Sequence, residues 1–150
     1  MPTKLSRSEL RAWFRIAGGM RSLLKSLDRQ LRDCAGMTHD DYEILSRLYR
    51  EPAAALRMSD LARDVGFSPS RLSHAMTRME DSGWVTRQPS SKDRRSTEAT
   101  LTPLGSKVVE AASVEHLALV RKLIFDTLGA DRAREVADAM DEIGRAAREG

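Results

Sequence analysis

A chain of 150 residues, 41% hydrophobic and 31% charged, has the composition of a folded domain and excludes disorder as its whole-chain state. No apolar run approaches the roughly 20 residues of a membrane span. The opening Met1-Pro2-Thr3-Lys4-Leu5-Ser6 lacks the apolar core of a signal peptide, and one cysteine, Cys34, excludes an internal disulfide, so a cytoplasmic protein with a reduced thiol is expected. Net charge is only +3, yet Val85–Thr97 holds four Lys/Arg against one Asp, a local cationic feature suited to a polyanion met at one place.

In chain order, Ser6-Arg7-Ser8-Glu9 fits a capping box, with Leu5 and Leu10 as its hydrophobic staple. A long first helix follows, with apolar residues at Leu10, Trp13, Ile16, Met20, Leu23, Leu27 and Leu31, and Gly36 ends it. Gly18-Gly19 in its middle predicts a kink or a close helix contact, since each glycine costs about 1 kcal/mol there. Thr38 caps a second helix whose apolar face is Tyr42, Ile44, Leu45, Leu48 and Tyr49, closed by Glu51-Pro52. Ala53–Arg57 reads as a linker. Ser59 is expected to cap a short third helix, Asp60–Val65, ended by Gly66. Ser68 caps a fourth, with Pro69 at its first position, running to about Asp81. Two helices joined by so short a turn form a helix-turn-helix pattern. Val85-Thr86-Arg87 and Thr97–Leu101 fit a β-hairpin around the loop "SSKDRRST". Thr102-Pro103 opens a long helix that Gly129 ends, and Asp131 is expected to cap a last helix with Val136, Met140 and Ile143 inward.

On a wheel at 100° per residue, the fourth helix puts Leu72, Ala75, Met76 and Met79 on one face. Arg71, His74 and Arg78 fall opposite, flanked by Ser70 and Thr77. These donors suit base edges and phosphates, and the Ser68-Pro69-Ser70 helix start adds backbone N–H groups for a phosphate. Any exposed helix face is polar, so the wheel alone is equally consistent with a solvated surface. The adjoining hairpin, tipped by Lys92, Arg94 and Arg95, completes the outline of a winged helix. Such a helix enters the major groove while the wing puts an Arg into the minor groove, where the potential is most negative. Asp93 is expected to pair with the Arg95 guanidinium and aim it.

Residues 57–105 resemble the winged helix-turn-helix of the multiple antibiotic resistance regulator (MarR) family. The resemblance rests on Ser59-x-Leu61-Ala62, Arg78-Met79-Glu80-x-x-Gly83-Trp84-Val85, Asp93-Arg94-Arg95 and Leu101-Thr102-x-x-Gly105. It implies a mainly α fold with a small β-hairpin wing. It also implies a homodimer on a pseudo-palindromic operator in double-stranded DNA, usually as a repressor. By that likeness Arg95 is the minor-groove residue, Asp93 steadies it and Arg94 meets the backbone. Residues 37–102 then form the DNA-binding lobe, and 1–36 with 103–150 a helical dimerisation lobe. The apolar stripe of the first helix is too long for a monomer of this size, so a second copy is its natural cover. Leu10, Trp13, Leu123, Ile124, Leu128, Met140 and Ile143 are the expected dimer residues.

Family members often bind small aromatic or phenolic anions between the two lobes, where Trp13, Phe14, Met20 and Tyr42 are the candidates; apolar and aromatic residues at helical spacing are more often core. Some members sense oxidants through a cysteine near the N-terminal region, the counterpart being Cys34; a packed, inert thiol is the simpler reading. His39, His74 and His116 are scattered, and no metal or cofactor site is expected. His39-Asp40-Asp41 has cation-binding groups, but acidic residues in a first turn usually serve the helix dipole. No nucleophile–base pair or phosphate-cradling loop points to an enzyme. The competing reading is a winged helix that docks proteins, whose wing would carry apolar residues in place of Lys92, Arg94 and Arg95.

Overall fold

The computed structural model describes residues 4–149. Met1–Thr3 and Gly150, at the outer ends of the predicted dimerisation lobe, lie outside the described residues. The chain runs α1 (Arg7–Ala35), α2 (His39–Tyr49), β1 (Ala55–Arg57), α3 (Met58–Val65), α4 (Pro69–Asp81), β2 (Val85–Pro89), β3 (Thr97–Leu101) and α5 (Pro103–Val120). A π-helical stretch, Arg121–Phe125, and a short turn of helix, α6 (Asp126–Leu128), lead to α7 (Ala130–Glu149). The fold is mainly helical with one antiparallel sheet in the order β1-β3-β2, the expected winged helix-turn-helix.

Local chemistry sets most of these boundaries. Ser6 Oγ accepts the Glu9 N–H at 3.2 Å and the Glu9 carboxylate accepts the Ser6 N–H at 2.7 Å. Thr38 and Asp41 repeat that exchange at the start of α2, both bonds at 3.0 Å. Gly36 (φ 64°) and Gly66 (φ 70°) end α1 and α3 in the left-handed region that favours glycine. Ser68 Oγ accepts the Arg71 N–H at 3.1 Å to open α4.

The structure departs from the expected pattern at several places. Ala55–Arg57 is no linker but the third strand, with Leu56 opposite Ala99 and the Leu101 N–H donating to the Ala54 carbonyl at 2.8 Å. Helix α3 starts at Met58, ahead of Ser59, and its cap residue Arg57 makes no side-chain bond, because β1 delivers the chain directly into the helix. Helix α7 starts at Ala130, so Asp131 lies in its first turn, 3.3 Å from Arg134. The long helix after Pro103 widens into the π stretch before Gly129. Helix α1 runs unbroken through Gly18 and Gly19, and nothing lies within 4 Å of where their Cβ atoms would stand. Tyr49 is exposed rather than core, and so are Val136, Met140 and Ile143.

By its own packing the chain divides between Val114 and Glu115 into two compact units. The first has the core, in which Leu31, Met37, Ile44, Leu45, Leu48, Leu61 and Met76 are fully buried. Leu72, Ala75 and Met79 complete the inward face of α4, as its wheel requires. Gly105 is needed where α5 leaves the sheet: a Cβ there would overlap the Trp84 carbonyl oxygen. Thr102 fastens the same corner, donating from Oγ1 to the Gly83 and Trp84 carbonyls and accepting the Gly105 N–H at 3.0 Å. The Leu-Thr-x-x-Gly motif is thus the joint between wing and α5. In the second unit Ala133 is the buried residue of α7. Among the described residues no helix is long and apolar enough to cross a membrane.

Candidate nucleic-acid interface

The outward face of α4 is open. Arg71 and Arg78 side chains are 54% and 52% exposed, and Ser70 and His74 are exposed with them. Neither arginine extends alone. The Arg71 guanidinium binds the Asp40 carboxylate through Nε at 2.8 Å and Nη2 at 2.6 Å, and it lies 4.0 Å above the Phe67 ring. Arg78 Nη2 donates to Asp41 Oδ1 at 3.0 Å. Asp41 is buried, and its other oxygen serves the α2 capping box. Consecutive carboxylates at the start of α2 therefore hold both arginines of the outward α4 face. Donating to the Asp40 carboxylate makes the Arg71 guanidinium still harder to deprotonate.

The wing is fastened to α4 by Arg87, a residue that sequence reasoning left in the hairpin without a role. Its guanidinium donates to Glu80 Oε1 at 3.1 Å and Oε2 at 2.7 Å, to Thr77 Oγ1 at 3.1 Å and to Ser73 Oγ at 3.4 Å. Those bonds hold the Glu80 carboxyl below the usual carboxylate range, against the opposing effect of burial. Thr77, expected on the DNA face, instead donates to the Ser73 carbonyl at 3.1 Å and receives Arg87. The signal for Arg87 was charge alone, seven residues beyond an acidic helix end, and only the folded hairpin makes it a partner.

The wing tip is shaped from within. Ser90 is buried, donates to Glu98 Oε1 at 2.7 Å and accepts the Lys92 N–H at 3.2 Å. The Asp93 carboxylate accepts the Arg95 backbone N–H at 3.0 Å and makes no ion pair with the Arg95 guanidinium among the described residues. An Asp reaching its own chain two residues on closes a local turn, which outcompetes a longer reach to a flexible side chain. Asp93 thus sets the backbone of the tip, and Lys92, Arg94 and Arg95 stay exposed without acidic partners among the described residues. Arg95 also lines a cleft of about 490 Å³ with Pro69, Leu72, Ser73 and Arg87, so the wing and the start of α4 border one space.

The remaining predicted site residues are spread out. Trp13 and Phe14 are 50% and 64% exposed on α1, Met20 and Tyr42 are half-buried, and the Tyr42 hydroxyl lies 3.1 Å from Ser113 Oγ. A separate cleft of about 620 Å³ in the same unit is lined by Arg21, Lys25, His39, Asp40, Phe67 and Arg71, and by none of those four. Cys34 is exposed rather than packed, with the Gln30 amide at 3.0 Å from its sulfur, while Arg32 binds Asp28 at 2.6 Å. His39, Asp40 and Glu43 have ligand atoms within 4.8 Å of one another, but both Asp40 oxygens already hold Arg71. Burial pushes the Glu43 carboxyl up, and His39 partly offsets it. Of the expected dimer residues, Leu10, Trp13, Met140 and Ile143 are exposed and Leu123, Ile124 and Leu128 half-buried.

Comparison with known proteins agrees with this geometry. The MarR family model matches residues 37–97. Sco3205 of Streptomyces coelicolor, a MarR family transcriptional regulator solved in complex with DNA, is 34% identical, with 97% of this chain and 91% of that one covered and a TM-score of 0.92. AbsC of the same organism, also a MarR family transcriptional regulator, is 34% identical over 99% of both chains, with a TM-score of 0.91. The uncharacterized HTH-type transcriptional regulator YfiV of Bacillus subtilis (strain 168) is 33% identical over 92 residues, which are 61% of this chain. The match spans only 56% of YfiV's length.

Proposed function

This chain belongs to the MarR family of transcriptional regulators, and from that premise we propose that it acts as a homodimeric repressor of a pseudo-palindromic operator. Residues 1–36 and 103–150 form the dimerisation lobe in this reading, and 37–102 the DNA-binding lobe. The observation that carries it is the pairing of an open α4 face with a wing whose three cations are left without acidic partners beside it. Ser70, Arg71, His74 and Arg78 meet the major groove, and the Ser68 end of α4 approaches a phosphate. Lys92 and Arg94 follow the backbone and Arg95 enters the minor groove, on a tip whose shape Asp93 maintains.

Relief of repression follows one of two routes in this reading. A small aromatic or phenolic anion is held among Trp13, Phe14, Met20 and Tyr42 beside the dimer interface, or an oxidant reaches the exposed Cys34. Both are checked by repeating DNA binding with a phenolic acid and with peroxide.

The test of DNA binding is a gel-shift titration on a duplex selected from a randomised pool. Arg95→Ala is expected to weaken binding on the order of 100-fold or more, the loss of a well-placed groove arginine from each half of the dimer. The helical circular dichroism signal and the dimer should not change, because the Arg95 side chain is exposed and makes no hydrogen bond or ion pair among the described residues. Wild-type affinity should fall steeply with salt as counterions are released. An Arg95→Ala titration that overlays the wild type would remove the wing tip from recognition.

A further inference from the structure

Asp40 does no capping: Thr38 and Asp41 complete the helix-start exchange without it. It is spent wholly on Arg71, thirty-one residues away, with both oxygens on one edge of the guanidinium. The Phe67 ring covers a face of the same group. A guanidinium has five N–H donors, and two are used here. The rest point from a side chain that is still 54% exposed. Arg71 is thus half-exposed yet fixed on two sides, and its charge is offset by an adjacent carboxylate.

These features have opposite effects on the two kinds of DNA contact. Attraction to phosphate depends on net positive charge and tolerates any rotamer, so the carboxylate weakens it. A hydrogen bond to a base edge depends on where the donors stand, so fixing the fork strengthens discrimination. We propose that Asp40 is a positioning residue that determines specificity: it converts Arg71 from a general phosphate clamp into a directed donor. This rests on the DNA-binding reading above. Arg78 has a similar restraint from Asp41, but Asp41 is buried and caps α2, so Asp40 is the position at which the effect separates from folding.

The test compares the wild type, Asp40→Asn, Arg71→Ala and the double variant on the selected duplex and on a scrambled duplex of equal length. Asp40→Asn removes the charge and keeps the shape. Its affinity for the scrambled duplex is expected to rise, with a salt slope steeper by about 1.8, the signature of one more phosphate contact in each half of the dimer. Its preference for the selected duplex should fall roughly tenfold. In the Arg71→Ala background Asp40→Asn should change neither quantity, because no guanidinium remains to be released. Arg71→Lys, which keeps the charge and its carboxylate partner but loses the fork, should lower the preference without steepening the slope, and serves if Asp40→Asn folds poorly. An unchanged preference and slope in Asp40→Asn, or an equal effect with Arg71 absent, would overturn the proposal while leaving DNA binding intact. A wild type without salt-sensitive affinity for either duplex would overturn both.

Discussion

Gly105→Ala is expected to cost about 3 kcal/mol of folding stability and to lower the melting temperature by roughly 10 °C. The added methyl would overlap the Trp84 carbonyl oxygen and stand 2.8 Å from Leu101 Cδ1. Side chains yield to such crowding at a modest cost, but the Trp84 carbonyl is backbone and accepts from Thr102, which leaves it little room to move. The damage should reach function, since Thr102 and Gly105 join the wing to α5. Gly144→Ala is the control: its nearest neighbour is the flexible end of Arg148 at 3.4 Å. Alanine is the better helix former by about 1 kcal/mol, so that variant should match or exceed the wild type. Thermal unfolding followed by circular dichroism distinguishes the two. Gly105→Ala melting within about a degree of the wild type would contradict the tight corner.

Trp13→Asp is expected to convert the proposed dimer to monomer at micromolar concentration. Leu10, Trp13, Phe14 and Ile16 give α1 an exposed apolar surface, and Gly18 and Gly19 leave a place where another backbone can approach. A two-fold interface buries the substituted residue twice, and each unpaired carboxylate taken out of water costs several kcal/mol. The monomer should keep its fold, because Trp13 is already 50% exposed. Sedimentation velocity reads the outcome directly. DNA affinity should fall about 100-fold or more with it, because the two recognition helices would no longer be linked. A Trp13→Asp variant that sediments as a dimer would place the interface elsewhere.

Much of the fold was legible because its signals are local. Ser6 with Glu9, Thr38 at the start of α2, and Ser68 followed by Pro69 each close bonds within one helical turn, so sequence spacing is enough to find them. The wing cations stood out for the same reason. What was missed is non-local. β1 is three residues long, too short for an alternating pattern, and its partner β3 lies beyond two helices and another strand. Arg87 with Glu80 and Arg71 with Asp40 pair across elements, and composition does not say which charges will meet. At Asp93 the shorter reach wins: the carboxylate takes the Arg95 backbone N–H instead of the Arg95 guanidinium. Val136, Met140 and Ile143 share an apolar face by their spacing and are expected inward, but periodicity does not say whether such a face is covered. In this structure that face is open.

The most direct test of the two-part grip is a hydroxyl-radical footprint of the wild-type protein on its selected duplex. The expected pattern has two-fold symmetry, with half-sites about one helical turn apart, roughly 34 Å, and flanking minor-groove protections that vanish in Arg95→Ala. A footprint without symmetry, or flanking protections that persist when Arg95 is gone, would contradict the assignment of α4 and the wing as the DNA-reading surface.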